Sequence, residues 1–146
     1  MKNSDVKKIN GTNIVLLNNK NAVLLQLRDN KPTIPYPNRW ALPGGHIGQN
    51  ETPRECIIRE VKEELGIELQ EFFLFAAARR SYGTEHTYWA RADFPTDDIT
   101  LSEGQEVKWF TYDEVRHMDL IYEDNDILDE FFRQRPFVRE SPGQCS

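Results

Sequence analysis

Apolar and polar residues follow two different periods along this chain, and each change of period marks an element. Thr12 to Leu17 and Ala22 to Leu27 are β-branched and aliphatic runs, and Asn18-Asn19-Lys20-Asn21 between them is turn chemistry. Together they predict a β-hairpin. Asn30 to Asn38 carries Pro32, Pro35 and Pro37, which predicts a long loop without regular structure. Loops of that length inside a small domain are often functional. The period then becomes helical. At about 100° per residue, Ile57, Ile58, Val61 and Leu65 share one arc, and Glu60, Glu63 and Glu64 share another. Both ends of this helix are written into the sequence. Thr52 fits the N-cap, Pro53 the first helical position and Glu55 the third, forming a capping box. Gly66 fits the left-handed position after the last turn, with Ile67 beyond it to pack back.

Downstream, Glu68 to Ala78 is apolar and aromatic and predicts a buried strand. Arg79 to Thr84 predicts a turn, and the alternation of His86 to Phe94 predicts a second strand pairing back. Val107 to Phe110 is a further short strand, followed by a turn through Val115 capped by Thr111 or Asp113. Ile127, Leu128, Phe131 and Phe132 recur at helical spacing, so Asp124 to Phe132 predicts a closing amphipathic helix, ended by Pro136. Residues 1–10 and 137–146 read as loose termini of a single domain spanning 1–146. Strands and two main helices in this order predict an α/β protein with helices on either side of a mixed sheet. The pattern alone leaves the topology open.

Composition narrows the function classes. A chain of 146 residues suits one domain with a useful core. A net charge of −6 and a pI near 5.1 imply no general affinity for nucleic acid polymers or membranes. Cys56 and Cys145 form no disulfide framework, and Met1 to Lys8 lacks an apolar signal core. No stretch approaches transmembrane length. The expectation is a cytoplasmic monomer or homodimer.

The acidic arc carries the chemistry. Glu60 stands three and four residues before Glu63 and Glu64, and like charges at that spacing destabilise a helix by roughly 0.2–0.5 kcal/mol per pair. Two of the three lie near the last turn, where the helix dipole disfavours anions. A divalent cation would reverse both costs. Alone, E-x-x-E-E reads as a solvated acidic face. Here Gly45, Glu51, Arg59, Glu60, Val61, Glu63, Glu64, Gly66 and Ile67 match G-x5-E-x7-R-E-U-x-E-E-x-G-U at every fixed position, where U is a bulky aliphatic.

That segment resembles the signature of the Nudix hydrolases, and Trp40-Ala-Leu-Pro-Gly-Gly resembles the run leading into it. The resemblance implies a Nudix-type α/β/α sandwich with a mixed central sheet between helices. It implies Mg²⁺, with Mn²⁺ as a substitute, held by Glu60, Glu63, Glu64 and the Gly45 carbonyl, and Arg59 with Glu51 as an orienting ion pair. Glu103-Gly104-Gln105 resembles the E-G-Q loop of MutT-type members, which makes Glu103 a candidate general base. Glu63 or Glu64 is the alternative base. Arg28 matches a basic position that faces substrate phosphates in similar proteins, though a strand-end charge has the same appearance. Trp40 is either a base-stacking residue or an anchor for the loop before it. Asn125, or its neighbour Asp124, is placed to read a base from the start of the last helix. The implied reaction is hydrolysis of a nucleoside diphosphate linked to another group. Small-molecule substrates on that reading are nucleoside triphosphates, including oxidised ones such as 8-oxo-dGTP, and nucleotide sugars. The alternative is a non-catalytic nucleotide sensor on the same fold.

Overall fold

The computed structural model describes residues 10–34, 36–81, 83–93, 99, 101 and 104–139. The predicted hairpin forms as β1 (Gly11–Leu17) and β2 (Val23–Leu27), paired antiparallel at Leu17 and Val23. The two strands then separate. On the vacated edges, β3 (Trp40–Ala41) pairs with β2 and β4 (Gly44–His46) pairs with β1, both antiparallel. The segment 40–46 is thereby wedged into a fork of the sheet, and Ile14 N donates to the Pro43 carbonyl at 3.0 Å within it. Such short strands have no periodicity of their own, and the sequence around Gly44 and Gly45 predicts only a glycine loop.

β6 (Gly83–Arg91) runs parallel to β1, its residues Glu85 to Arg91 pairing with the whole of β1, and β5 (Phe73–Arg80) pairs antiparallel with β6 at the sheet edge. β7 (Glu106–Phe110) covers the other edge of β2. Among the described residues the strands form one mixed seven-stranded sheet. Both strands of the second hairpin are shifted from their predicted positions. β5 starts at Phe73 and continues through Arg79 and Arg80, which the sequence assigns to a turn. Backbone pairing of Arg79 with Thr84 and Arg80 with Gly83 carries the ladder through these charged positions. β6 stops at Arg91, and Phe94 lies outside the described residues.

The sheet is covered on both faces. Helix α1 (Pro53–Leu65) packs Ile57, Val61 and Leu65 onto Ile14, Leu16, Leu24, Tyr88 and Ala90. Helix α3 (Asp124–Gln134) packs Ile127, Leu128 and Phe131 onto Val15, Leu17, Val23, Leu25 and Trp89. This is the expected α/β/α sandwich. The capping box of α1 is present in both directions, with Glu55 N to Thr52 Oγ1 at 3.1 Å and Thr52 N to Glu55 Oε1 at 2.9 Å. Gly66 closes it at φ 71, its N–H on the Lys62 carbonyl. Ile58 is the exception on the apolar arc, at 39% exposure, because it lies at the arc's margin beyond the edge of the sheet contact. A second capping box, Thr111 with Glu114, starts the short helix α2 (Tyr112–Val115).

The C-terminal boundary also differs. Pro136 ends α3 as expected, but a further turn, α4 (Pro136–Arg139), follows and buries Phe137 against Phe131 and Phe132. Residue 137 thus belongs to the core and not to a loose tail. Among the described residues no helix is long and apolar enough to cross a membrane.

Candidate active site

Glu60 and Glu64 of α1 face β4. Glu64 is only 7% exposed, and its Oε1 accepts from Gly44 N at 3.1 Å. The Glu60 carboxyl lies where a side chain on Gly45 would go: a Cβ there would meet the carboxyl carbon at 2.3 Å. Gly44 is constrained on its other side, at φ 153 with Thr12 O 2.1 Å from the Cβ position. The two glycines therefore let β4 lie between β1 and the acidic face of α1 with no side chain intervening.

Arg59 fastens this arrangement. Its Nε donates to Glu51 Oε2 at 2.6 Å and its Nη2 to Glu51 Oε1 at 3.0 Å, a two-pronged pair. Nη1 reaches Glu60 Oε2 at 2.9 Å and Glu63 Oε1 at 3.1 Å, and Nη2 also reaches the His46 carbonyl at 3.2 Å. The Arg59 hydrogen bonds, followed by the Gly48 N–H, hold the Glu51 carboxyl down at about 2. The same bonds push the Arg59 guanidinium further above its usual range. Both stay charged across the working pH range, so the hub that ties α1 to β4 does not titrate there. Glu51 and Arg59 form the ion pair that the motif implies.

Among the described residues no three His, Cys, Asp or Glu side chains converge as an ion-holding group. The donor chemistry nevertheless fits a hard divalent cation: the carboxylates of Glu60, Glu63 and Glu64 share one helix face, next to the side-chain-free backbone of Gly44 and Gly45. In this arrangement the Arg59 guanidinium supplies the counter-charge at Glu60 and Glu63, and a cation would compete with it for both.

A second group of polar residues lies on the opposite face of the sheet, around the fork. Asp124, the first residue of α3, is 2% exposed. Its Oδ2 accepts from Leu42 N at 2.9 Å and its Oδ1 from Asn13 Nδ2 at 3.5 Å, while Asn13 Oδ1 accepts from Thr87 Oγ1 at 2.7 Å. Burial raises the Asp124 carboxyl to about 8, with the Leu42 N–H opposing and the charge of Glu85 adding to the rise. Stability follows from the sign. A carboxyl held above its ordinary value is most stabilising when protonated, and its contribution falls as pH rises from about 4 towards 8. Asp124→Asn is expected to flatten the decline of Tm between about pH 4 and pH 8, as measured by thermal denaturation. Parallel pH profiles for variant and wild type would contradict the assignment.

The remaining sequence-nominated residues are placed as follows. Trp40 pairs with Leu27 on β3 and packs edge-to-face on Phe110 at 5.0 Å, in the anchoring position. Asn125 uses both ends of its amide on backbone: Oδ1 accepts from Leu120 N at 2.9 Å, and Nδ2 donates to the Met118 carbonyl at 3.0 Å. It braces the turn before α3. Arg28 begins the loop after β2, with its carbonyl bound by Gln105 Nε2 at 2.8 Å. Gln105 also reaches Asn38 Oδ1 at 2.9 Å, so this residue of the E-G-Q run ties down both ends of the proline loop. Glu103 lies outside the described residues. The polar chain of Asn13, Thr87 and Asp124 has no signature in the sequence beyond polar residues interrupting apolar strands at Asn13 and Thr87.

A sequence model of the NUDIX domain matches residues 7–134, and the chain belongs to this family. An RNA pyrophosphohydrolase of Francisella tularensis subsp. tularensis (strain WY96-3418) is 32% identical over 101 residues, covering 66% of this chain and 56% of that relative. The chain thus spans little more than half the length of that curated relative. The crystal structure of a MutT protein from Methanosarcina mazei Go1 superposes with a TM-score of 0.68 at 22% identity, covering 90% of this chain and 97% of that one. The NUDIX domain of Shewanella oneidensis NrtR, solved with ADP ribose, superposes with a TM-score of 0.70 at 21% identity, covering 92% and 93%. At these identities the structural likeness is one of fold.

Proposed function

We propose that this chain hydrolyses a phosphoric anhydride bond in a nucleotide-type substrate, using a divalent cation held by Glu60, Glu63, Glu64 and the Gly45 carbonyl. The observation that carries the reading is the pairing of a nearly buried Glu64 with the Gly44 N–H, next to a Gly45 that leaves room only for the Glu60 carboxyl. Family membership supports it. Mg²⁺ is the expected ion, and when bound it would neutralise phosphate oxygens and favour deprotonation of the attacking water. The chain's own residues do the rest. Gly44 N–H orients Glu64, the Glu51–Arg59 pair holds α1 against β4, and a carboxylate removes the proton from the attacking water. Glu103 is the loop candidate for that base, and Glu63 and Glu64 are the helix candidates. The intact carboxylate set favours an enzyme over a nucleotide sensor, which would have no need of it.

The substrates we favour are nucleoside triphosphates, oxidised ones included, and nucleotide sugars. RNA forms the second reading, because the Francisella relative is named for it. The test is a coupled phosphate-release assay over nucleoside triphosphates, nucleotide sugars, ADP ribose and RNA with a 5′-triphosphate, with and without Mg²⁺ or Mn²⁺. Activity is expected only with metal and should rise towards alkaline pH. Full activity after exhaustive chelation would rule the reading out. In the same assay Glu103→Gln is expected to lower kcat by roughly 10²–10⁴-fold, the range of a lost general base, with little change in Mg²⁺ affinity. A kcat within a few-fold of wild type would move the base to α1.

A further inference from the structure

β5 ends the sheet, with β6 on one side and, among the described residues, no strand on the other. Native sheets blunt such edges with proline, lysine, inward charges or bulges. From Phe73 to Ala78 β5 has only a bulge, between Leu74 and Ala76. Leu74 is 54% exposed, the most exposed large apolar side chain among the described residues. A single bare leucine is ordinary. The pattern of the strand around it is not.

Residues directly opposite each other in a sheet share a face, and faces alternate along a strand. Leu74 lies opposite Tyr88, which packs under α1, and Phe72 packs edge-to-face on Tyr88 there. Ala77 and Arg79 lie opposite His86 and Thr84, which share that face with Tyr88 by alternation. On the α3 face are Phe73, against Trp89, and Phe75, against Phe131. Ala76 and Ala78 join them, opposite Thr87 and Glu85. The bulge makes Phe75 the extra residue, so Phe75 and Ala76 fall on one face in succession. From Phe72 to Arg79 the faces therefore read α1, α3, α1, α3, then α3, α1, α3, α1. The order is the same from either end. Size reverses about the same point: Phe72, Phe73, Leu74 and Phe75 are bulky, and Ala76, Ala77 and Ala78 are small.

We propose that two copies of this chain associate by antiparallel pairing of β5 with β5, about a twofold axis between Phe75 and Ala76. A twofold perpendicular to the sheet keeps each face on its own side, and this register matches the faces at every pair from Phe72 to Arg79. A slip of one residue in either direction breaks the match. In this register Leu74 meets the second copy's Ala77, Phe73 meets its Ala78 and Phe75 meets its Ala76, each large side chain against a small one. Glu71 comes opposite the second copy's Arg80, next to Arg79, so the two ends of the pair carry complementary charge. The unpaired backbone edge gains a partner, as in recognition by strand addition. The bulge that blunts this edge towards other strands makes it complementary to itself.

The test is sedimentation velocity of the full chain from about 1 to 300 µM, the range suited to an interface below the standard size. The weight-average mass is expected to rise from 17.1 kDa towards double that. Leu74→Lys, a change at an exposed position, should leave the chain monomeric throughout, with thermal denaturation confirming the fold. Register is read by disulfide trapping in a Cys145→Ser background, Cys56 being fully buried. Leu74→Cys mixed with Ala77→Cys should give a cross-linked dimer under oxidation. Either variant alone should not, because like residues are offset along the two strands, beyond disulfide reach. A monomer at every concentration would overturn the proposal. So would a dimer indifferent to Leu74→Lys, or one trapped by either cysteine variant alone.

Discussion

Glu64→Gln is expected to lower turnover at least about 100-fold while leaving the fold intact. The two consequences separate because the side chain has two functions. Its Oε1 accepts from Gly44 N at 3.1 Å, and an amide oxygen in the same place accepts equally well. Shape and volume are conserved at a site only 7% exposed, so no cavity forms. What is lost is the negative charge, and with it a cation ligand or a base. Either removes several kcal/mol of transition-state stabilisation, about 1.4 kcal/mol for each tenfold in rate. Removing one of two like charges at i and i+4 should even raise metal-free stability by roughly 0.2–0.5 kcal/mol. Glu63→Gln should show a loss of turnover of the same order. Urea denaturation without metal, together with kcat at saturating Mg²⁺, checks both consequences. Near-wild-type turnover in both variants would remove the carboxylates from the mechanism.

Gly45→Ala is expected to cost about 100-fold in turnover with little loss of stability, and Gly44→Ala to cost stability itself. The contrast comes from what each new methyl meets. At Gly45 the obstacle is the carboxyl end of Glu60, with its carbon at 2.3 Å and its oxygens at 2.5 and 2.6 Å. A side-chain terminus can swing away, so the protein should fold, with Glu60 driven from its place beside β4. A misplacement of about 1 Å at a reacting centre can cost of the order of 10²-fold. At Gly44 the obstacles are Thr12 O at 2.1 Å and Asn13 Cα at 2.6 Å, which are backbone atoms of a central strand and cannot yield without disturbing the β1–β4 pairing. Thermal denaturation and kcat on the two variants test the difference. If Gly45→Ala kept full activity, the close approach of Glu60 to β4 would have no catalytic importance.

Much of the candidate site is legible in the sequence because its parts lie close together along the chain. The helix from Pro53 to Leu65 carries its own caps, its apolar face and its carboxylates within a few turns, and all depend on interactions between residues three or four apart. The pairing of Arg59 with Glu51 spans only eight residues and was equally visible through the motif. Residues whose roles depend on distant partners were harder to assign. The resemblance nominates Asn125 or Asp124 as a base reader, and in the fold the Asn125 amide binds Leu120 N and the Met118 carbonyl. The sequence leaves Trp40 open between stacking and anchoring; in the fold it packs edge-to-face on Phe110 of β7, the strand on the other side of β2 from β3.

The sequence by itself determined the class of fold, the acidic helix with both of its ends, and the glycine pair beside it, because local propensity and spacing encode each of these. Only the tertiary structure decided how β1 and β2 part, how segment 40–46 fills the gap, and what lies in the fork. Asp124 is raised to about 8 by burial in the folded chain, against the opposing hydrogen bonds from Leu42 N and Asn13 Nδ2, which lie 82 and 111 residues away along the chain. Tyr36 and Tyr122 form a pair only because the loop after β2 and the turn before α3 are brought to the same edge of the sheet. Burial and long-range pairing depend on which surfaces the folded chain brings together, and a residue's immediate neighbours in sequence carry no record of that.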